Sequence, residues 1–288
     1  MKKIGILHLL LLLNGFSLFA QEIKVMTWNI FMVPPVVFKS CQLERAYLIA
    51  DYVKNINPDI IAFNETFMSS TRSVIYEKLK SNYPYQSDIT KSGILKSNSG
   101  VWIFSKFPIE KQDFIIYKKK KGSDIFANKG ATFIEVKINN KKMQLISTHM
   151  QSLIKFKPTR AVQYRQLKSE LVDKHFDDAV PQFIVGDLNC NYYDTVEYKL
   201  MHQLLDVAPF YYTGEKYSWN GMQNDLAYKF SEHSLETLDY ILLRNSSSKI
   251  ANITSTQILK PFSDSCVCNK NFHNLSDHHP VISTIELK

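Results

Sequence analysis

Asn29 follows the apolar run VMTW, Glu65 follows IIAFN, His149 follows LIST, and Asp187 and Asn189 follow FIVG. Asp239 sits inside TLDYILL, and Asp277 and His278 precede PVIS. Carboxylates and amides at strand ends can gather oxygen ligands around a hard divalent cation, and imidazoles among them can move protons. Asp187 and Asn189 are two apart, so on an extended strand end they point to the same side, where they suit a second ion or a water. Each residue alone has an ordinary explanation, such as a cap for Asn29 or a solvated loop for Glu65. The informative feature is one residue chemistry recurring at one kind of position.

Such residues need strands that deliver their ends to a common edge. Alternating or continuous apolar runs predict strands over Ile23–Trp28, Asp59–Phe63, Gly100–Ser105, Phe133–Ile138, Met143–Thr148, Phe183–Gly186 and Leu238–Leu243. Pro280 cannot donate to a ladder, so a final strand is expected to begin just after it, at Val281. Helices are predicted at Gln42–Asn55, with an apolar stripe at Leu43, Ala46, Tyr47, Ala50 and Val53, and at Arg160–Phe176. Strand-helix-strand units alternate with hairpins such as the one turning at Asn139-Asn140, which predicts two mixed sheets covered by helices.

The first twenty residues carry Lys2 and Lys3, an apolar run from Ile4 to Leu13 and a small-residue end at Ala20. That layout predicts a secretory signal peptide over residues 1–20, leaving 21–288 as one domain, secreted or periplasmic. Loss of the two leader lysines lowers the formal charge from +8 to +6, a modest excess that suits an anionic surface or a phosphodiester without choosing between nucleic acid and lipid. Cys41, Cys190, Cys266 and Cys268 are too few and too irregular for a zinc site or a disulfide scaffold, although some pairing is compatible with export.

The motifs TWN at 27–29, NE at 64–65, STH at 147–149, GDLN at 186–189, LDYIL at 238–242 and SDHHP at 276–280 occur in this order along nearly the whole chain. Together they resemble the endonuclease/exonuclease/phosphatase superfamily, and the resemblance implies a four-layered α/β sandwich of the DNase-I-like kind with metal-dependent phosphoester hydrolysis. Within it, FNETF, YPYQ, GVWIFSKFPI, ANKGA, STHMQS and LSDHHPV are similar to secreted bacterial neutral sphingomyelinases. That likeness implies a membrane lipid substrate, sphingomyelin with phosphatidylcholine as a second candidate, a peripheral membrane contact, a monomer and no nucleic acid. It also implies Mg²⁺, or another divalent cation such as Mn²⁺ or Co²⁺.

By the same resemblance Glu65, helped by Asn29, would hold the ion, with Asp187, Asn189, Asp277 and His278 also near metal. His278 would be the general base, Asp239 its orienting partner, and His149 a partner of the phosphoryl oxygens or the leaving alkoxide. His279 has no expected role, and Lys129 falls within a matched motif without an assigned one. Two departures stand out: Asn98-Ser99 replaces an acidic residue before Gly100, and Lys260–Asn274 contains no tryptophan, so the tryptophan-bearing membrane hairpin is not expected. Phe31–Phe38, stiffened by Pro34-Pro35, is then the expected docking loop, with the lysine run Lys118–Lys121 the next candidate. The competing readings are a secreted nuclease or phospholipase C of the same superfamily, and a binding protein that kept the fold and lost catalysis.

Overall fold

The computed structural model describes residues 21–90, 96–231, 233–267 and 272–288; the predicted signal peptide lies outside them. In chain order the strands are β1 (Gln21–Asn29), β2 (Ile60–Asn64), β3 (Tyr85–Gln86), β4 (Trp102–Ser105), β5 (Ile109–Ile116), β6 (Gly130–Ile138), β7 (Lys141–His149) and β8 (Gln182–Asp187). They continue with β9 (Thr213–Gly214), β10 (Trp219–Asn220), β11 (Leu235–Glu236), β12 (Asp239–Leu243), β13 (Ala251–Ile258), β14 (Phe262–Val267), β15 (Phe272–Asn274) and β16 (Val281–Leu287). The α-helices are α1 (Gln42–Ile56), α2 (Ser69–Leu79), α3 (Lys157–Leu167) and α4 (Thr195–Leu205).

One mixed sheet runs β3-β4-β2-β1-β16-β13-β9 and the other β12-β8-β7-β6-β5. β1 shows how they stack. Ile23 and Val25 join Ile60, Ile103, Leu145, Val185 and Ile285 in one core, while Met26 and Trp28 point the other way into a second core with Ala46, Ile49, Ile75 and Leu79 of α1 and α2. Period-2 alternation thus gives β1 two apolar faces, one toward the opposite sheet and one toward helices. Tyr164, Leu167, Met201 and Leu205 from α3 and α4 pack into the first core from the far side, completing helix, sheet, sheet, helix. Among the described residues no helix is long and apolar enough to cross a membrane.

Several expectations are corrected. α1 buries Gln42, Arg45, Ala46, Ile49, Ala50 and Val53, whereas Leu43 and Tyr47 are exposed. The helix is rotated from the apolar stripe because the Arg45 guanidinium is turned inward. The helix predicted at Arg160–Phe176 is α3, starting earlier at Lys157 with proline in its first turn, followed by a π-helical turn over Lys168–Val172. The segment that lacks tryptophan nevertheless forms an antiparallel pair, β14 with β15, in which Phe262 lies opposite Asn274. Cys41 is disulfide-bonded, while Cys190 is free and buried. The lysine run stays largely exposed: Lys118, Lys119 and Lys121 face solvent, with Lys118 Nζ 2.6 Å from Glu170 Oε1, while half-buried Lys120 donates from Nζ to Ala127 O at 2.9 Å.

Candidate active site

Strand register gathers the polar ends. In the parallel pair β1–β2, Asn29 lies beside Asn64. In the parallel pair β7–β8, His149 lies beside Asp187, and in the antiparallel pair β8–β12, Asp187 faces Asp239. β16 runs antiparallel to β1 with Val281 opposite Thr27, so Asp277 and His278 precede it at the same edge. The two sheets therefore bring every residue proposed from the strand ends to one rim.

Backbone detail fixes the rim. Glu65 and Asn189 adopt left-handed conformations, φ 58° and 50°, which is costly for a glutamate and marks a position that the surroundings over-determine. Thr66 N donates to Gly100 O at 3.0 Å, and a Cβ on Gly100 would lie 3.2 Å from Glu65 Cα and 2.7 Å from the Phe67 ring, so only glycine fits there. Gly186 is equally confined: a Cβ would stand 2.0 Å from Thr148 O. Asn98 now has a visible task, since its amide donates to Phe67 O at 3.1 Å and accepts from Gly100 N at 2.8 Å.

Asp187 is the hub. Its Oδ2 accepts from Asn29 Nδ2 at 3.1 Å and lies 3.4 Å from His149 Nε2 and 3.8 Å from His278 Nε2; its Oδ1 accepts from Asn189 N at 2.9 Å. His278 Nδ1 is 2.8 Å from Asp239 Oδ2. A buried carboxylate acceptor requires the proton on Nδ1, which leaves Nε2 facing the cavity. Asp187, Asp239 and His278 bring one ligand-type atom each within 4.8 Å of one another, all buried. Glu65 Oε1 is 3.8 Å from His149 Nε2, and Glu65 Oε2 is buried with no hydrogen-bond partner among the described residues. Asn189 Nδ2 is engaged with Met150 O at 3.1 Å, leaving its amide oxygen as the available donor atom to a cation.

Burial pushes the Asp187 carboxyl up to about 6 and that of Asp277 up to about 7, with His278 pulling both the other way. Glu65 is raised by the same cause and lowered by Lys129. For His278, burial opposes the charge, but the carboxylates of Asp239 and Asp187 outweigh it and hold the imidazole well above its usual range. His149, buried beside Lys129 and His278, lies well below its usual range and is neutral at pH 7. A crowd of desolvated carboxylates with an orphaned oxygen on Glu65 is what a hard cation relieves. Glu65, Asn29 and Asp187 fit such an ion by chemistry and position.

His279 lies outside the cluster: its Nδ1 bonds Tyr217 O at 3.2 Å, and burial pushes it down to about 4. Lys129 pairs with Asp124 at 3.0 Å and donates to Met150 O at 3.1 Å, which places its charge just behind the rim. Arg45 went unnoticed in the sequence. Fully buried, it donates to Ser40 O, Ile30 O, Phe31 O and Leu275 O, tying the loop after Asn29 to the segment before Asp277. A lone arginine inside a helix face that buries Ala46 and Ile49 was the available signal. Asn64 was also missed as a positioning residue; its Oδ1 accepts from Asp187 N at 3.0 Å.

Residues 26–278 match the endonuclease/exonuclease/phosphatase family, and the chain belongs to that family. Within it, the chain is 32% identical over 287 residues to sphingomyelinase C 2 of Leptospira interrogans, covering 90% of this chain but only 45% of that relative's length. It is 28% identical over 302 residues to sphingomyelinase C of Bacillus cereus, covering 93% of this chain and 90% of the relative. A solved double mutant of beta toxin from Staphylococcus aureus with bound magnesium ions superposes with a TM-score of 0.82 at 26% identity, covering 93% of this chain and all of that one.

Proposed function

We propose that the protein is a secreted, divalent-cation-dependent phosphodiesterase that hydrolyses sphingomyelin to ceramide and phosphocholine, with Mg²⁺ as the first candidate ion. The likeness to sphingomyelinases of Leptospira and Bacillus supports the substrate, and the magnesium-bound beta toxin supports the ion. The observation that carries the chemistry is the His278–Asp239 pair at 2.8 Å, with His278 Nε2 turned toward Asp187.

Glu65, Asn29 and Asp187 would hold the ion, with Asn189 at its margin. A cation bound there would polarise a phosphoryl oxygen, lower a nearby water's pKa from about 15.7 toward roughly 7, and offset the carboxylate field that holds His278 protonated. His278 Nε2 then takes the proton from the attacking water while Asp239 fixes its tautomer and stabilises the imidazolium. Neutral His149 keeps one N–H to donate to a phosphoryl or leaving oxygen across the rim. Asp277, beside Ser276, whose hydroxyl donates to Asn29 O at 2.7 Å, braces the loop that carries His278.

Membrane contact fits the loop after β1. Phe31 and Met32 are buried, but Val36 is 93% and Val37 70% exposed, which leaves two apolar side chains to enter a bilayer interface. The test is a substrate panel of sphingomyelin vesicles, phosphatidylcholine vesicles and supercoiled DNA, each with Mg²⁺. Phosphocholine release from sphingomyelin supports the reading; DNA nicking without phosphocholine release overturns it in favour of a nuclease.

A further inference from the structure

Two short turns leave the His149 end of the rim with apolar tips turned to solvent. A 3-10 turn over Gly122–Phe126 precedes β6, and another over Ile154–Phe156 follows β7. β6 and β7 are antiparallel with Ala131 opposite Thr148, so both turns lie beyond the same strand ends. They are bound to each other: Ser152 N donates to Asp124 Oδ2 at 2.8 Å, and Lys121 N donates to Gln151 Oε1 at 2.7 Å. Phe126 is 69% exposed, Ile154 68%, Leu153 54% and Ile125 45%. Apolar side chains clustered in this way on packed turns mark an interaction surface, whereas single exposed ones do not.

The backbone holds these tips in place. Leu153 has φ 69°, a conformation costly for a leucine, so the surroundings impose it. Arg160 Nη1 donates to Leu153 O at 2.9 Å, while its Nε and Nη2 are clamped by Glu197 at 2.6 and 2.8 Å. Lysines flank the tips: Lys119, Lys121 and Lys155 are exposed and make no ion pair among the described residues. The one carboxylate in either turn, Asp124, is buried. Apolar tips flanked by uncommitted cations complement a bilayer that carries anionic lipid, whose hydrocarbon takes up the tips and whose surface potential attracts the lysines.

We propose that these two turns form a second membrane-docking element, one that enters bilayers containing anionic lipid. Val36 and Val37 follow Asn29 on one sheet, and Leu153 and Ile154 follow His149 on the other. Asp187 lies between, 3.1 Å from Asn29 Nδ2 and 3.4 Å from His149 Nε2. Each sheet thus supplies one anchor, with the site between them. The proposal rests on the membrane-lipid reading above and adds to it a preference for the charge of the bilayer.

The experiment uses the purified full chain and vesicles of brominated phosphatidylcholine, alone or mixed with phosphatidylglycerol. They carry no sphingomyelin, so binding is read without turnover. Trp28 and Trp102 are buried and Trp219 is half-buried, so Phe126→Trp adds a well-exposed indole; its emission, with that of wild type subtracted, is quenched by the mixed vesicles. Co-sedimentation of Phe126→Ser/Ile154→Ser falls at least about tenfold. Lys119→Gln/Lys121→Gln/Lys155→Gln loses about tenfold or more on mixed vesicles and little on phosphatidylcholine alone. Both multiple variants keep the wild-type thermal midpoint and hydrolysis of a soluble short-chain substrate. An unquenched indole on vesicle-bound protein, serine variants that bind as wild type does, or equal losses of the lysine variant on both vesicles overturn the proposal. Quenching without any cleavage of sphingomyelin upholds this element and removes the substrate reading, whereas cleavage without quenching does the reverse.

Discussion

Replacing Asp239 with asparagine keeps the shape of the site and removes the charge that organises its base. The Asp239 carboxylate is fully buried, and its Oδ2 lies 2.8 Å from His278 Nδ1. A hydrogen bond to a charged group contributes about 1.5–3 kcal/mol, and each 1.36 kcal/mol is a factor of ten in rate, so loss of the charge alone costs about 10- to 150-fold. The amide can also turn its NH₂ toward Nδ1, which drives the ring proton onto Nε2 and leaves no acceptor for the water's proton. Full loss of a general base costs about 10²–10⁴, so kcat is expected to fall by roughly 10²–10⁴. The assay is phosphocholine release at saturating Mg²⁺, with thermal unfolding to show that the variant is folded. A folded Asp239→Asn protein that keeps kcat within about fivefold of wild type refutes the role given to this pair.

Four further outcomes are expected. His278→Ala loses about 10²–10⁴ in turnover while His279→Gln stays within a few-fold, because only His278 faces Asp187; equal losses contradict the assignment. Excess chelator abolishes hydrolysis and added Mg²⁺ restores it, and full activity in chelator removes the cation from the account. Exchanging both Val36 and Val37 for serine weakens vesicle binding at least about tenfold, from roughly 1.5 kcal/mol or more per buried valine, and spares a soluble short-chain substrate; equal effects on both substrates would move docking elsewhere. Arg45→Met lowers the thermal midpoint and activity together, since four carbonyls lose their buried donor at about 1–3 kcal/mol each at most; an unchanged melting curve contradicts the tie between the two loops.

The rim of the site was readable because a polar residue after an apolar run is conspicuous at Asn29, Glu65, His149, Asp187 and His278. Their convergence follows from register, which the run lengths only suggest. β5 and β13 escaped notice because most of their residues are not buried, so their apolar positions do not repeat cleanly. α1 was found but turned the wrong way, since a stripe of apolar residues cannot anticipate that Arg45 is held inward by backbone carbonyls. Phe126 and Ile154 sit in 3-10 turns, too short for any periodic signal. The task of Asn98 becomes intelligible only in space, where its amide makes two hydrogen bonds to the turn around Gly100.

The claim that this rim delivers water to phosphorus is tested most directly by hydrolysing sphingomyelin in water labelled with heavy oxygen and weighing both products. The account predicts one labelled oxygen in phosphocholine and none in ceramide, with no product in excess chelator. Release of free choline with ceramide phosphate, label in ceramide, or no cleavage in the presence of Mg²⁺ would contradict it.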